Sequence, residues 1–149
     1  MTDIYVSAGQ TSSGSVQPGD HEYVLSGGST IHLFVSGGGQ EVIRAGGLSL
    51  SATVSSGGTQ WISGTANNAT ILAGGVQTIS AGGVANATVL NGGNEYVSSG
   101  GTAIGLFALS GSVEVVSAGG VNSNGTVSSG ATEMLAAGGT QTGLVPSSC

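Results

Sequence analysis

Segments of about eight residues alternate along this chain with segments of ten or eleven, and most of them close on a pair of glycines. The short arms read DIYVSAGQ, HEYVLSGG, QEVIRAGG, TQWISG, VQTISAGG, NEYVSSGG, VEVVSAGG and TEMLAAGG. The long arms between them include STIHLFVSGGG, LSLSATVSSGG, TANNATILAGG and VANATVLNGG. A glycine pair belongs where a chain turns with positive φ or passes close to another backbone. So regular a recurrence implies one small unit repeated and stacked, because a single unit of this size buries almost nothing alone.

Aligning the short arms puts an aliphatic residue in one column every time: Val6, Val24, Ile43, Ile62, Ile79, Val97, Val116 and Leu135. Strand side chains alternate with period two, so this column is expected to face inward, with Ala8, Ser26, Ala45, Ala81, Ser99, Ala118 and Ala137 two residues further on the same face. The long arms supply a second inward column, Val16, Val35, Val54, Ile71, Val89, Ala108, Val127 and Val145. With β-branched columns and no helical period, the expected fold is all-β. It is a parallel β-solenoid of about eight coils with strand and corner alternating, one domain over residues 1–149. The coils fall at approximately 3–20, 21–39, 40–58, 59–75, 76–93, 94–112, 113–131 and 132–149.

Composition excludes most other readings. Thirty glycines in 149 residues never adopt the every-third-residue period of collagen. A 38% apolar content with only 5% charge is not that of a disordered chain. One arginine, Arg44, no lysine and a net charge of −6 exclude a nucleic-acid surface, and no apolar run suggests membrane insertion. The N-terminus has no visible secretory signal, and Cys149, the single cysteine, has no internal partner. Prolines occur only at Pro18 and Pro146, in the first and last long arms, where they either weaken pairing or sit at corners.

The units VSSGGT, VQTISAGG and NEYVSSGGTAIG resemble the strand-loop-strand repeat of autotransporter passengers, the AIDA-type repeat of bacterial surface adhesins. The resemblance implies a right-handed solenoid displayed on or outside the bacterial cell, acting in adherence and biofilm formation. Some relatives carry O-linked heptose on these repeats. The matching positions here are Ser26, Ser36, Ser55, Ser56, Ser80, Ser98, Ser99, Ser117, Ser128 and Ser129.

Other constellations are weighed on their residues. Glu22, Glu41, Glu95, Glu114 and Glu133 share a column with Gln60 and Gln77, read as a solvated corner in preference to a divalent-cation ladder. Beside it, Tyr5, Tyr23, Val42, Trp61, Thr78, Tyr96, Val115 and Met134 are expected outside, where the aromatic residues either stack on sugars or reflect strand propensity alone. His21 and His32 are expected to be solvated, and the sequons at Asn68, Asn86 and Asn124 to be an echo of the repeat. With Arg44 as its only strong base, the chain lacks the basic groups that polysaccharide chemistry demands. No catalytic residue, cofactor or metal is expected. The leading expectation is a non-enzymatic structural solenoid that self-associates, end-on into a fibre. The alternatives are an O-glycosylated adhesin fragment mediating cell-cell adherence, or a module binding cell-surface glycans through Tyr5, Tyr23, Trp61 and Tyr96.

Overall fold

The computed structural model describes residues 1–146, so Cys149 lies outside the described residues. Among these residues the chain is entirely β, built as three eight-stranded sheets in which every strand pairs in parallel with its equivalent in the coils before and after. Each coil contributes one strand to each sheet. In the first coil these are Asp3–Val6, Thr11–Ser12 and Ser15–Val16, and in the second His21–Val24, Ser29–Ile31 and Phe34–Val35. The long arm is thus two strands rather than one, and the coil has three corners rather than two.

The additional corner is made without a glycine pair. His32, Ser51, Asn68, Ala87 and Asn124 adopt φ between 53° and 57° there. Gly105 and Gly143 do the same work with φ of 66° and 64°. Asn and His tolerate the left-handed region better than most residues, and Gly carries no penalty there. Asn86 is not part of this set: it pairs with Asn67 inside the strand Val84–Asn86, and Ala87 takes the corner. The three sequons are therefore not equivalent, because the residue that occupies the left-handed corner shifts by one in that coil.

The glycine pairs at the other two corners divide their labour. The first member has positive φ, as at Gly27, Gly46, Gly82 and Gly100. The second lies against the preceding coil: a Cβ on Gly28 would stand 2.1 Å from the Val6 carbonyl oxygen, and one on Gly83 2.1 Å from that of Ile62. Where serine replaces the second glycine, at Ser112, its hydroxyl donates to the Leu90 carbonyl at 2.8 Å and accepts from the Gly92 N–H at 3.0 Å.

Two apolar clusters run along the interior. One gathers Val24, Ile43, Ile62, Ile79, Val97 and Val116 of the first sheet with Ala66, Ala85 and Ala103 of the second. The other gathers Val16, Val35, Val54, Ile71, Leu90 and Ala108 of the third sheet with Leu33, Ala69 and Leu106 at the adjoining corner. Val6 is also buried, and Leu135 continues its column in the last coil at 50% exposure. Val127 is in register with Ala108 and partly buried.

Three expectations need correction. Val89 pairs with Thr70 and faces outward, while Leu90 is the buried partner of Ile71. The corner after Leu90 is one residue shorter than its neighbours, so counting back from the glycines lands on the wrong face. Val145 likewise pairs with Thr126 and is 57% exposed, and Pro146 takes the register of Val127. Finally, Ala8, Ser26, Ala45, Ala81, Ser99, Ala118 and Ala137 are all exposed. The strand ends before them, and alternation does not carry through a turn. Pro18 sits in a corner, clear of the ladders, whereas Pro146 belongs to the final strand.

Candidate functional site

The outer serines lie along two edges of the rod. Ser26, Ser80, Ser98, Ser99 and Ser117 occupy the corner between the first and second sheets. Ser36, Ser55, Ser56, Ser128 and Ser129 occupy the corner that leads from the third sheet back to the first. Ser36, Ser55, Ser80, Ser98, Ser117 and Ser128 directly follow a strand and are half-buried. Ser26, Ser56, Ser99 and Ser129 hold the exposed positions. The glycine one coil on leaves room for these hydroxyls: a Cβ on Gly46, Gly74 or Gly119 would press on Oγ of Ser26, Ser56 or Ser99 at 2.5, 3.0 and 2.6 Å. Ser7, Ser63 and Ser110 occupy equivalent corner positions and were not singled out from sequence. Their arms have lost one member of the glycine pair, so a search keyed to that pair passes over them.

The stripe on the first sheet points outward, with Tyr5 57%, Trp61 42% and Tyr96 39% exposed. Its N-terminal part is occupied with itself. Tyr5 and Tyr23 stack with ring centroids 5.1 Å apart and planes 14° apart, and the Arg44 guanidinium lies 5.8 Å from the Tyr23 ring. These are the distances of offset stacking and of a cation over an aromatic face. The faces of Tyr23 are therefore covered, leaving Trp61 and Tyr96 as the stripe's other exposed rings. His21 opens its strand with Nδ1 3.1 Å from an Asp3 carboxylate oxygen, and His32 is exposed at the left-handed corner.

The glutamate column is inside the rod. Glu22, Glu41, Gln60, Gln77, Glu95 and Glu114 are all 0–1% exposed, so the reading of a solvated corner is overturned. Glu22 and Val24 lie two residues apart on one strand and must share a face. The middle of the column is a continuous chain of hydrogen bonds. The Thr30 hydroxyl donates to Glu41 Oε1 at 2.6 Å, Gln60 Nε2 to Glu41 Oε2 at 2.6 Å, and Gln77 Nε2 to Gln60 Oε1 at 2.6 Å. The Thr88 hydroxyl then donates to Gln77 Oε1 at 3.1 Å.

Towards the C-terminal half the column is less satisfied. Asn122 Nδ2 donates to Glu114 Oε2 at 2.8 Å, but both Glu95 carboxyl oxygens, Glu114 Oε1 and Asn122 Oδ1 have no hydrogen-bond partner. Burial pushes Glu95 up to about 8. Burial, with Glu95 and Glu133 alongside, pushes Glu114 up to about 9. Desolvation also raises Glu22, Glu41 and Glu133. Among the described residues no group of three or more His, Cys, Asp or Glu side chains is arranged to hold a metal ion.

No family model and no curated protein matches the chain. Among solved structures it is similar to a TibC-catalysed, hyper-glycosylated fragment of TibA, residues 55–350, with 33% identity and a TM-score of 0.88. The match covers 97% of this chain and 63% of that one, so the chain spans less than two thirds of that fragment's length. A third of the aligned residues shared over nearly every coil, on a ladder of parallel strands, makes this chain an autotransporter-passenger-like β-solenoid repeat protein.

Proposed function

We propose that the chain is a non-enzymatic scaffold of the adhesin type, displayed at or outside a bacterial cell surface and carrying sugars on its corner serines. The observation behind this reading is the arrangement of those serines in rows on two edges of the rod, all at least partly accessible. The similar TibA fragment is hyper-glycosylated by TibC. A rigid stack presents such groups at the coil spacing of about 4.8 Å, a density suited to multivalent contact between cells and to biofilm formation. Co-expression with TibC followed by intact-mass measurement and peptide mapping tests the reading. Sugar increments on Ser26, Ser56, Ser99 and Ser129, lost in the corresponding alanine variants, are expected. An unmodified mass would refute it.

A second reading is self-association, in which the parallel ladders of one rod continue into those of the next and the rods stack end-on into a fibre. Electron microscopy of the purified chain at micromolar concentration should show uniform filaments, and isolated short rods would exclude end-on growth.

A further inference from the structure

The interior acids bear on how the rod responds to its surroundings. Glu95, Glu114 and Glu133 stand in register on three consecutive strands, Asn94–Val97, Val113–Val116 and Thr132–Leu135. The side chains around them are Gln77 before them in the column, Ala85, Ala103, Asn122 and Gln141 on the facing sheet, and Thr88 at the corner. Among the described residues none of these neighbours is basic. Arg44 and His32 are exposed, and His21 faces outward on the first sheet. The titratable groups that face each of these carboxyls are therefore the other carboxyls. A buried carboxylate with no cation and few donors is far less stable than the neutral acid, and adjacent carboxyls reinforce this.

We propose that the interior glutamates make the solenoid a proton-linked rod, held closed by acid and loosened in its C-terminal half as the solution becomes alkaline. The neutral acids can donate to oxygens in neighbouring coils that otherwise lack partners, among them Asn122 Oδ1 and Glu114 Oε1. A folded-state pKa above the unfolded one contributes stability that is complete below the unfolded value and lost as pH rises towards the folded value. The window here runs from the ordinary 4.5 to about 8 for Glu95 and about 9 for Glu114. Most proteins fail in acid because paired carboxylates are protonated and positive charge accumulates. Both routes are weak in this rod. Among the described residues its ion pairs, Met1 with Asp20 and His21 with Asp3, are at the surface, and one arginine and two histidines bring little positive charge.

The test is melting of the whole chain across the acid-to-alkaline range, for wild type and for Glu95→Gln and Glu114→Gln. The wild type should melt highest below about pH 4.5 and lose stability steadily above it. Each substitution should remove about one proton from the number released on unfolding near neutral pH. If a variant does not fold, infrared spectroscopy of the wild type reads the same property: protonated carboxyl groups should persist at neutral pH and vanish on unfolding. A melting temperature that falls on acidification, pH profiles unchanged by the substitutions, or only ionised carboxylates at neutral pH would each overturn the proposal.

Discussion

Replacing either glycine of one pair by alanine should separate the two physical reasons for its being there. Gly82 has φ of 79° and a Cβ there would meet nothing nearer than the Ser63 carbonyl oxygen at 4.0 Å, so Gly82→Ala meets only the backbone cost of the left-handed region. That cost is about 1–2 kcal/mol, offset by roughly 0.4–1 kcal/mol from the stiffer unfolded chain. The net loss is about 1 kcal/mol, or roughly 3 °C in melting temperature for a chain of this size. Gly83 has an ordinary φ, yet its Cβ would stand 2.1 Å from the Ile62 carbonyl oxygen. An ordinary carbon–oxygen contact is about 3.3 Å, so that oxygen must retreat by about 1 Å.

The same oxygen accepts the Ser80 N–H at 2.8 Å, a ladder bond between coils. Losing the bond and stranding buried backbone groups costs about 1–3 kcal/mol, and prying the two coils apart adds packing losses of similar size. Gly83→Ala should therefore lower the melting temperature by roughly 10 °C, several times the effect of Gly82→Ala. It should also accelerate hydrogen exchange at the Ser80 amide. Thermal melts of the two variants, with exchange at Ser80, make the comparison. Equal melting temperatures, or a larger loss for Gly82→Ala, would refute the assignment of close approach to the second glycine.

The register in the third sheet gives another paired comparison. Leu90→Asp places a charge in the apolar cluster and should abolish cooperative melting, whereas Val89→Thr on the outer face should shift it little, both read by circular dichroism. On the stripe, Arg44→Ala removes a surface contact with Tyr23 worth roughly 0.5–1 kcal/mol, so the melting temperature should fall by only a few degrees.

The aliphatic columns were legible because a residue such as Ile62 sits four positions into an arm whose ends are marked. The period-two rule then fixes its face. The same rule, applied backwards, places Gln60 and Glu41 inside, but the general tendency of glutamate to remain in water argued otherwise. Neighbouring coils supply what a single arm does not show: Thr30 and Gln60 bring the donors that Glu41 needs, and these are distant in sequence. The additional corner was hidden for another reason. His32, Ser51 and Ala87 have nothing in common as residue types, and their left-handed backbone is imposed by the coils on either side, with the His32 N–H donating to Leu50 O and the Ala87 N–H to Ile104 O. The shift from Val89 to Leu90 came from a corner shortened by one residue, a change in length that leaves the glycine pair intact.

The three parallel sheets also determine how such a rod carries tension. Backbone hydrogen bonds between coils point along its length, so an axial pull spread over a whole coil loads all three ladders of a given junction together. Under such a pull no single bond carries the load alone. Force applied across an edge, where a few residues form a corner, meets only the bonds nearest the point of attachment. A rod built this way resists a stretch distributed over its coils far better than being peeled from its side.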